Sequence, residues 1–245
     1  MRLSRIFVDQ GLDHGEQIYL DADTCHYLKK VLRLKSGAAI VLFNGQDLYD
    51  YESLLSYEGK QAIATIQNAV AANTESTLST EIIQGLSRSD HMDWMIQKCT
   101  ELGVTRISVF NANHTQISLK PAQREKRLGH WRNIAIKACE QCGRQVSPLV
   151  NFQQGIVAAL AEPVPRDMKI LLDFEGDRLR SGSVSRDTDE SIAILVGPEG
   201  GLSDMETKSA KNAGFVATRI GPRVLRTETA AATALAIIQF SYGDI

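Results

Sequence analysis

The sequence predicts a small β-barrel followed by an α/β domain built on a mostly parallel sheet. Three observations carry this prediction. Short strand-like segments separated by turn residues fill the first 72 residues. Ala71–Thr80, rich in Ala, Asn, Ser and Thr, has no hydrophobic periodicity and reads as a linker. Beyond it, apolar runs alternate with amphipathic ones, the pattern of βα units. A chain of 245 residues suits one small and one medium domain, placed at 1–72 and 73–245.

In the first domain strands are expected at Arg5–Val8, Gln17–Leu20, Ala39–Phe43, Tyr49–Leu54 and Ala62–Ile66, with Asn44-Gly45 and Glu58-Gly59 as turn signals. A short helix over Ala22–Val31 interrupts them, and a basic turn, Arg33 to Gly37, follows it. Such spacing is that of a small barrel.

The second domain opens with a strand at Glu81–Leu86. A helix over Asp90–Leu102 follows, with Met92, Met95, Ile96, Cys99 and Leu102 on one face and Gly103 as its stop. Next come a strand at Val104–Phe110 and a basic helix at Ala122–Cys142, in which Leu128, Trp131, Ala135, Ala138 and Cys142 recur at helical spacing. Met168–Asp173 and Ile192–Val196 are continuous apolar runs, as expected of strands buried on both faces. Phe215–Ile220 is a further strand, and Ala230–Phe240 a buried helix too short and too interrupted to cross a bilayer.

Composition is that of a soluble protein, and the N-terminus lacks the apolar run of a signal peptide. With no export signal, four cysteines are expected to be reduced thiols in the cytoplasm. Cys139 and Cys142 form a CxxC, but inside a helical pattern and without a second ligand pair. They read as buried helix residues, and no metal is expected. A net charge of −2 does not advertise nucleic-acid binding, so any RNA footprint must be local. Lys120–Arg144 carries seven basic and two acidic residues, a local charge of +5. It is either an RNA surface or a solvated helix face.

Three predicted strands end in loops suited to holding a ligand: Asp173-Phe174-Glu175-Gly176, Gly197-Pro198-Glu199-Gly200-Gly201, and Gly221-Pro222-Arg223-Val224-Leu225-Arg226. Carboxyl ends of strands are where open α/β sheets bind ligands. Ser203 and Glu206 form an S-x-x-E capping box, so a helix starts right after the second loop. That loop fits neither a dinucleotide fingerprint nor a phosphate loop. Pro198 removes a donor and Glu199 places negative charge there, which disfavours an anion and suits a cationic cofactor such as S-adenosylmethionine.

Leu195–Ser203 together with Ile220–Ala230 resembles the signature pair of the RsmE family, bacterial enzymes that methylate N3 of a uridine in 16S ribosomal RNA. Gln97–Val104 and Ala138–Arg144 resemble two further family segments. The resemblance implies an N-terminal PUA-like barrel for RNA and a C-terminal SPOUT domain with a trefoil knot around S-adenosylmethionine. It also implies a homodimer acting on 16S rRNA, within the assembled 30S subunit, and neither DNA nor a membrane as partner. Cofactor contacts are implied for Leu172, Gly197, Pro198, Glu199, Gly200, Gly201, Ile220, Gly221, Leu225, Arg226 and Thr227. RNA contacts are expected from Arg5, Arg33 and Lys35, and from Arg124, Arg127 and Arg144. The chain departs from the family at Ala112-Asn113-His114, where Ser-Glu-Arg is usual, so that His114 either replaces a basic RNA contact or marks its loss.

Methylation at uracil N3 needs orientation, charge stabilisation and departure of the N3 proton. Arg223 and Arg226 are the expected holders of phosphate or of the charge developing on the uracil carbonyls, unless they pair with Glu199 or Glu228. Either of these carboxylates could take the proton if burial raised its pKa, or water could take it if the arginines favour the uracil anion. Two rival classes stay open at this level: a nucleotide-dependent oxidoreductase, against which the missing fingerprint counts, and a non-catalytic RNA-binding protein, against which both intact loops count.

Overall fold

The computed structural model describes residues 3–117, 119–179 and 191–245. It divides into two compact units, Met1–Glu75 with Cys139–Ser147, and Ser76–Ala138 with Pro148–Ile245.

The first unit is a five-stranded sheet formed by β1 (Ser4–Phe7), β2 (Gln17–Tyr19), β3 (Ala39–Phe43), β4 (Tyr49–Glu58) and β5 (Gln61–Ala71). Their order is β1-β3-β4-β5-β2, with β1 parallel to β3 and every other pair antiparallel. Gly59, at φ +63°, sits in the predicted turn between the paired Glu58 and Gln61. Alternate residues Ile40, Leu42, Leu55, Ala62, Ala64 and Ile66 build the core with Ile6, Ile18 and Leu28. The predicted helix over 22–31 is real but changes type. α1 (Ala22–His26), capped by Asp21, passes into a π-helical turn at Tyr27–Val31, where Leu32 N donates to Tyr27 O.

Residues 139–147 join this unit, although the sequence reading set them with the second domain. The reason is electrostatic. Arg144 pairs with Glu75 at 2.6 Å, Gln145 donates to Asp50, and Arg5, paired with Asp50, also donates to Arg144 O.

The second unit carries a six-stranded, all-parallel sheet: β6 (Ser79–Gly85), β7 (Arg106–Phe110), β8 (Leu149–Gln153), β9 (Met168–Arg178), β10 (Ser191–Val196) and β11 (Val216–Arg219), in the order β11-β9-β10-β6-β7-β8. Ile192, Ile194 and Val196 pack on one face with helices α2 (Ser89–Glu101), α3 (Pro121–Cys142) and α6 (Thr227–Tyr242). Ala193 and Leu195 pack on the other with α4 (Ile156–Leu160) and α5 (Asp204–Asn212). Both faces are therefore covered, which explains the unbroken apolar runs.

Three expectations need correction. β8 and α4 were not foreseen, because an edge strand containing Asn151 and Gln153 and a helix of five residues leave little periodic signal. The loop expected at Asp173–Gly176 instead belongs to β9. β11 pairs Ala217 with Leu171 and then Thr218 with Asp177, so that residues 172–176 are passed over. A Cβ on Gly176 would lie 2.3 Å from the Ala217 carbonyl carbon, so only glycine lets the two backbones approach there.

Candidate active site

Strand order reverses between β10 and β6: from β6 the chain runs outward through β7 and β8, and the later strands lie on the other side. The carboxyl ends at such a switch point open into a crevice. Here the crevice is a cleft of about 740 Å³. The two glycine-proline loops and the passed-over stretch of β9 all reach it. Of the residues expected at the cofactor, Leu172, Gly197, Pro198, Glu199, Gly201, Ile220, Gly221, Leu225, Arg226 and Thr227 line it, with Arg223 and Glu228. Gly200 is the exception. A Cβ there would meet His114 Cβ and O at 2.9 Å, so the missing side chain makes room for the 112–114 loop.

Close backbone approaches set the cleft wall. A Cβ on Gly85 would lie 2.6 Å from Pro198 Cδ, and one on Gly197 would lie 3.2 Å from the Gly201 carbonyl carbon. Thr227 Oγ1, at the first residue of α6, donates to Gly197 O at 2.6 Å, and Gln84 Nε2 at the end of β6 donates to Thr227 Oγ1 at 2.8 Å. The loop passes into α5 through the expected capping box: Ser203 Oγ accepts from Glu206 N while the Glu206 carboxylate accepts from Ser203 N. Asn113 fastens the neighbouring loop by donating from its backbone to Glu206 and from its side chain to Ser203 Oγ. His114 Nδ1 lies 3.2 Å from Gly200 O. The residues that depart from the family pattern thus buttress the second glycine loop.

Two carboxylates and an imidazole form the polar corner of the cleft. Glu199 Oε1 accepts from Arg88 N at 3.0 Å and lies 3.1 Å from His91 Nδ1. Burial pushes the Glu199 carboxyl up, but the hydrogen bonds from the Arg88 and Glu199 backbones and the neighbouring His91 together hold it below the usual glutamate value. The expectation of a base raised by burial fails for Glu199. Glu228 is 8% exposed, its Oε2 lies 3.6 Å from His91 Nδ1, and that oxygen has no hydrogen-bond partner among the described residues. Arg223 and Arg226 are exposed and, among the described residues, make no ion pair with either carboxylate.

His91, Arg88 and Gln84 were missed in the sequence. The strand-end rule applied to β6 would have found them, since all three sit at or just after its carboxyl end. Among the described residues no group of three or more His, Cys, Asp or Glu side chains is placed to hold a metal, and no helix is long and apolar enough to cross a membrane. Cys139 is buried, and burial pushes its thiol up to about 12, well above the range of thiolate chemistry at neutral pH.

Four of the six expected RNA contacts are tied into the protein. Arg5 is 8% exposed, paired with Asp50 and stacked on Phe43 at 4.8 Å; Arg144 is 4% exposed and paired with Glu75. Both hold the first unit together and are corrected to that role. Arg124 lies over Phe152 and donates to Gln154, and Arg127 donates to Ser89 Oγ, yet both keep part of their surface in solvent. Arg33, at φ +54°, and Lys35 are exposed on the basic turn.

A family model for an RNA methyltransferase domain matches residues 74–239, and one for an RNA methyltransferase PUA domain matches residues 20–52. The ribosomal RNA small subunit methyltransferase E of Buchnera aphidicola (subsp. Schizaphis graminum) is 30% identical over 100% of this chain and 98% of its own length. The chain belongs to the ribosomal RNA small subunit methyltransferase E family. The Bacillus subtilis member is 27% identical, with 97% of this chain and 96% of that one covered. Two solved structures agree over 100% of both chains. One is the methyltransferase Lpg2936 of Legionella pneumophila with bound SAM (31% identity, TM-score 0.93). The other is the family member from Neisseria gonorrhoeae bound to S-adenosyl methionine (32%, TM-score 0.90).

The residues present fit that cofactor. A cleft of about 740 Å³ lies in the range of small-molecule sites. Gly201 and Gly221 have φ of +72° and +148° with open space where a Cβ would stand.

Proposed function

We propose that this protein methylates N3 of a uridine in the 16S ribosomal RNA of the small ribosomal subunit, with S-adenosylmethionine as methyl donor. The observation that carries the reading is the convergence of both glycine-proline loops on one cleft, beside two exposed arginines that pair with no carboxylate among the described residues. When bound, the cofactor supplies an electrophilic methyl carbon. The backbones of Gly197–Gly201 and Ile220–Gly221, with Leu172 and Leu225, would hold it. Arg226 and Arg223 would fix the RNA and stabilise charge on the uracil carbonyls.

The trefoil knot and the homodimer of the RsmE resemblance belong to the same proposal. In support of the dimer, the outward side of α6 carries partly exposed Ala230, Thr233, Ile237 and exposed Phe240. RNA held in the assembled 30S subunit is the proposed substrate. The test is methylation of isolated 30S subunits against naked 16S rRNA, read by nucleoside mass spectrometry. N3-methyluridine formed only with S-adenosylmethionine supports the reading, and any other modified nucleoside, or none, overturns it. Sedimentation of wild type against Phe240→Asp tests the dimer.

A further inference from the structure

The cleft holds an acceptor to which no described residue donates a hydrogen bond. Glu228 stands in the first turn of α6, 8% exposed and on the cleft wall, and its Oε2 has no hydrogen-bond partner among the described residues. A buried acceptor left without a donor is destabilising. An unmet acceptor at a ligand cleft points to a donor that the ligand brings.

His91 explains why the oxygen is free. Its Nδ1 lies 3.1 Å from Glu199 Oε1 and 3.6 Å from Glu228 Oε2, and one N–H cannot serve both. With the proton on Nδ1, the nearer Glu199 takes it, and Glu199 takes Arg88 N as well. The other charged groups about this corner are engaged or distant in bonding. Asp90 lies 3.9 Å from the far His91 nitrogen, and Asp173 Oδ1 accepts from Glu175 N. Arg226, which precedes α6, is exposed.

We propose that Glu228, and not Glu199, accepts the N3 proton of the target uracil, with His91 as the positioning residue that keeps the two carboxylates apart in role. The inference rests on the uracil N3 methylation proposed above. The N3–H bond breaks toward Glu228 Oε2 as N3 bonds to the methyl carbon; the electron pair of the S–CH3 bond stays on sulfur, which leaves as the neutral thioether. One positive charge on sulfur and one negative charge on Glu228 disappear together, so charge balances.

The experiment compares wild type, Glu228→Gln and Glu228→Asp as full-length protein. Calorimetry gives the affinity for S-adenosylmethionine, and single-turnover methylation of 30S subunits is followed from acid to alkaline pH. Glu228→Gln is expected to bind the cofactor within about twofold of wild type and to lose about 10²- to 10⁴-fold in rate at neutral pH, the usual worth of a general base. Its rate should climb with alkalinity, because the uracil imide then ionises unaided. Glu228→Asp should keep the wild-type acid limb at a lower rate. An unchanged rate, a rate loss equal at every pH, or loss of cofactor affinity in proportion to rate each overturns the role; the last would mean that the carboxylate holds the cofactor's ammonium group. A wild-type product other than N3-methyluridine overturns the function itself, whatever the variants do.

Discussion

Thr227 Oγ1 donates to Gly197 O across 2.6 Å, joining the first residue of α6 to the loop after β10. Gln84 Nε2 completes the link by donating to the same hydroxyl at 2.8 Å and more weakly to Gly197 O at 3.3 Å. Three segments that meet only through the fold are held by one hydroxyl. Thr227→Val keeps the shape and removes it, leaving Gly197 O with only the longer bond from Gln84. The expected cost is about 1–3 kcal/mol of stability, with a weaker hold on S-adenosylmethionine. Thermal unfolding and calorimetry check both; unchanged values in both would make the hydroxyl incidental.

The glycines in the two loops have different jobs, so they should fail differently. Gly221 has φ +148° and open space where its Cβ would stand, on the wall of the cleft. Gly221→Val strains the backbone and fills ligand space, and cofactor affinity is expected to drop at least tenfold. Gly200→Val instead drives into His114 Cβ and O, which lie 2.9 Å from the missing Cβ. Its first effect should be loosening of the 112–114 loop. Hydrogen exchange at Asn113 and His114, measured without cofactor, separates the two: faster exchange is expected in Gly200→Val and not in Gly221→Val.

Arg226 is exposed and, among the described residues, unpaired with either nearby carboxylate. Its removal should therefore cost little in folding. Arg226→Ala is expected to keep its melting temperature and most of its cofactor affinity while losing methyl transfer about 10²-fold or more, the scale of one electrostatic contact in the transition state. Normal turnover would remove the arginine from the RNA site.

Glu199 sets an acid limit. In the folded chain its carboxyl is held below the usual 4.5, because the hydrogen bonds to it outweigh its burial. The folded form then binds fewer protons than the unfolded form in this range, so the stabilisation is complete above pH 4.5 and fades as pH falls through the lower folded value. Melting curves of wild type and Glu199→Gln should be separated near neutral pH and converge in acid. A constant separation would mean that the carboxylate's charge is not what stabilises the loop.

Much of this site was legible because glycine, proline and capping residues act locally. The Ser203–Glu206 box and the loop around Gly197 follow from chain-neighbour chemistry, and the burial of Ile192–Val196 from its unbroken apolar run. What was hidden depends on distant partners. Arg5 reads as a surface cation until Asp50 and Arg144 O are brought to it, and Glu199 reads as a candidate base until Arg88 N reaches it. The β9 irregularity was hidden for the same reason, since Gly176 meets Ala217 only across the sheet. Nothing in the sequence near His91 says which carboxylate will take its proton.

The RNA surface gives the last prediction, and the fold divides its six cations into two classes. Arg5 and Arg144 are buried in ion pairs with Asp50 and Glu75, so their removal strands a carboxylate and should cost roughly 3–5 kcal/mol of stability in the first unit. Arg33 and Lys35 are exposed, and Arg124 and Arg127 partly so. A phosphate contact releases counterions, so each one lost should lower the slope of log affinity against log salt by about one. Arg33→Ala/Lys35→Ala and Arg124→Ala/Arg127→Ala should each flatten that slope while leaving denaturant midpoints nearly unchanged. Arg144→Ala should shift the midpoint, with the slope preserved wherever the protein is still folded. A wild-type slope in both double variants would make α3 and the basic turn solvated surfaces and place the RNA elsewhere. A flattened slope in Arg144→Ala, measured where it is fully folded, would show that the buried pair opens to bind RNA.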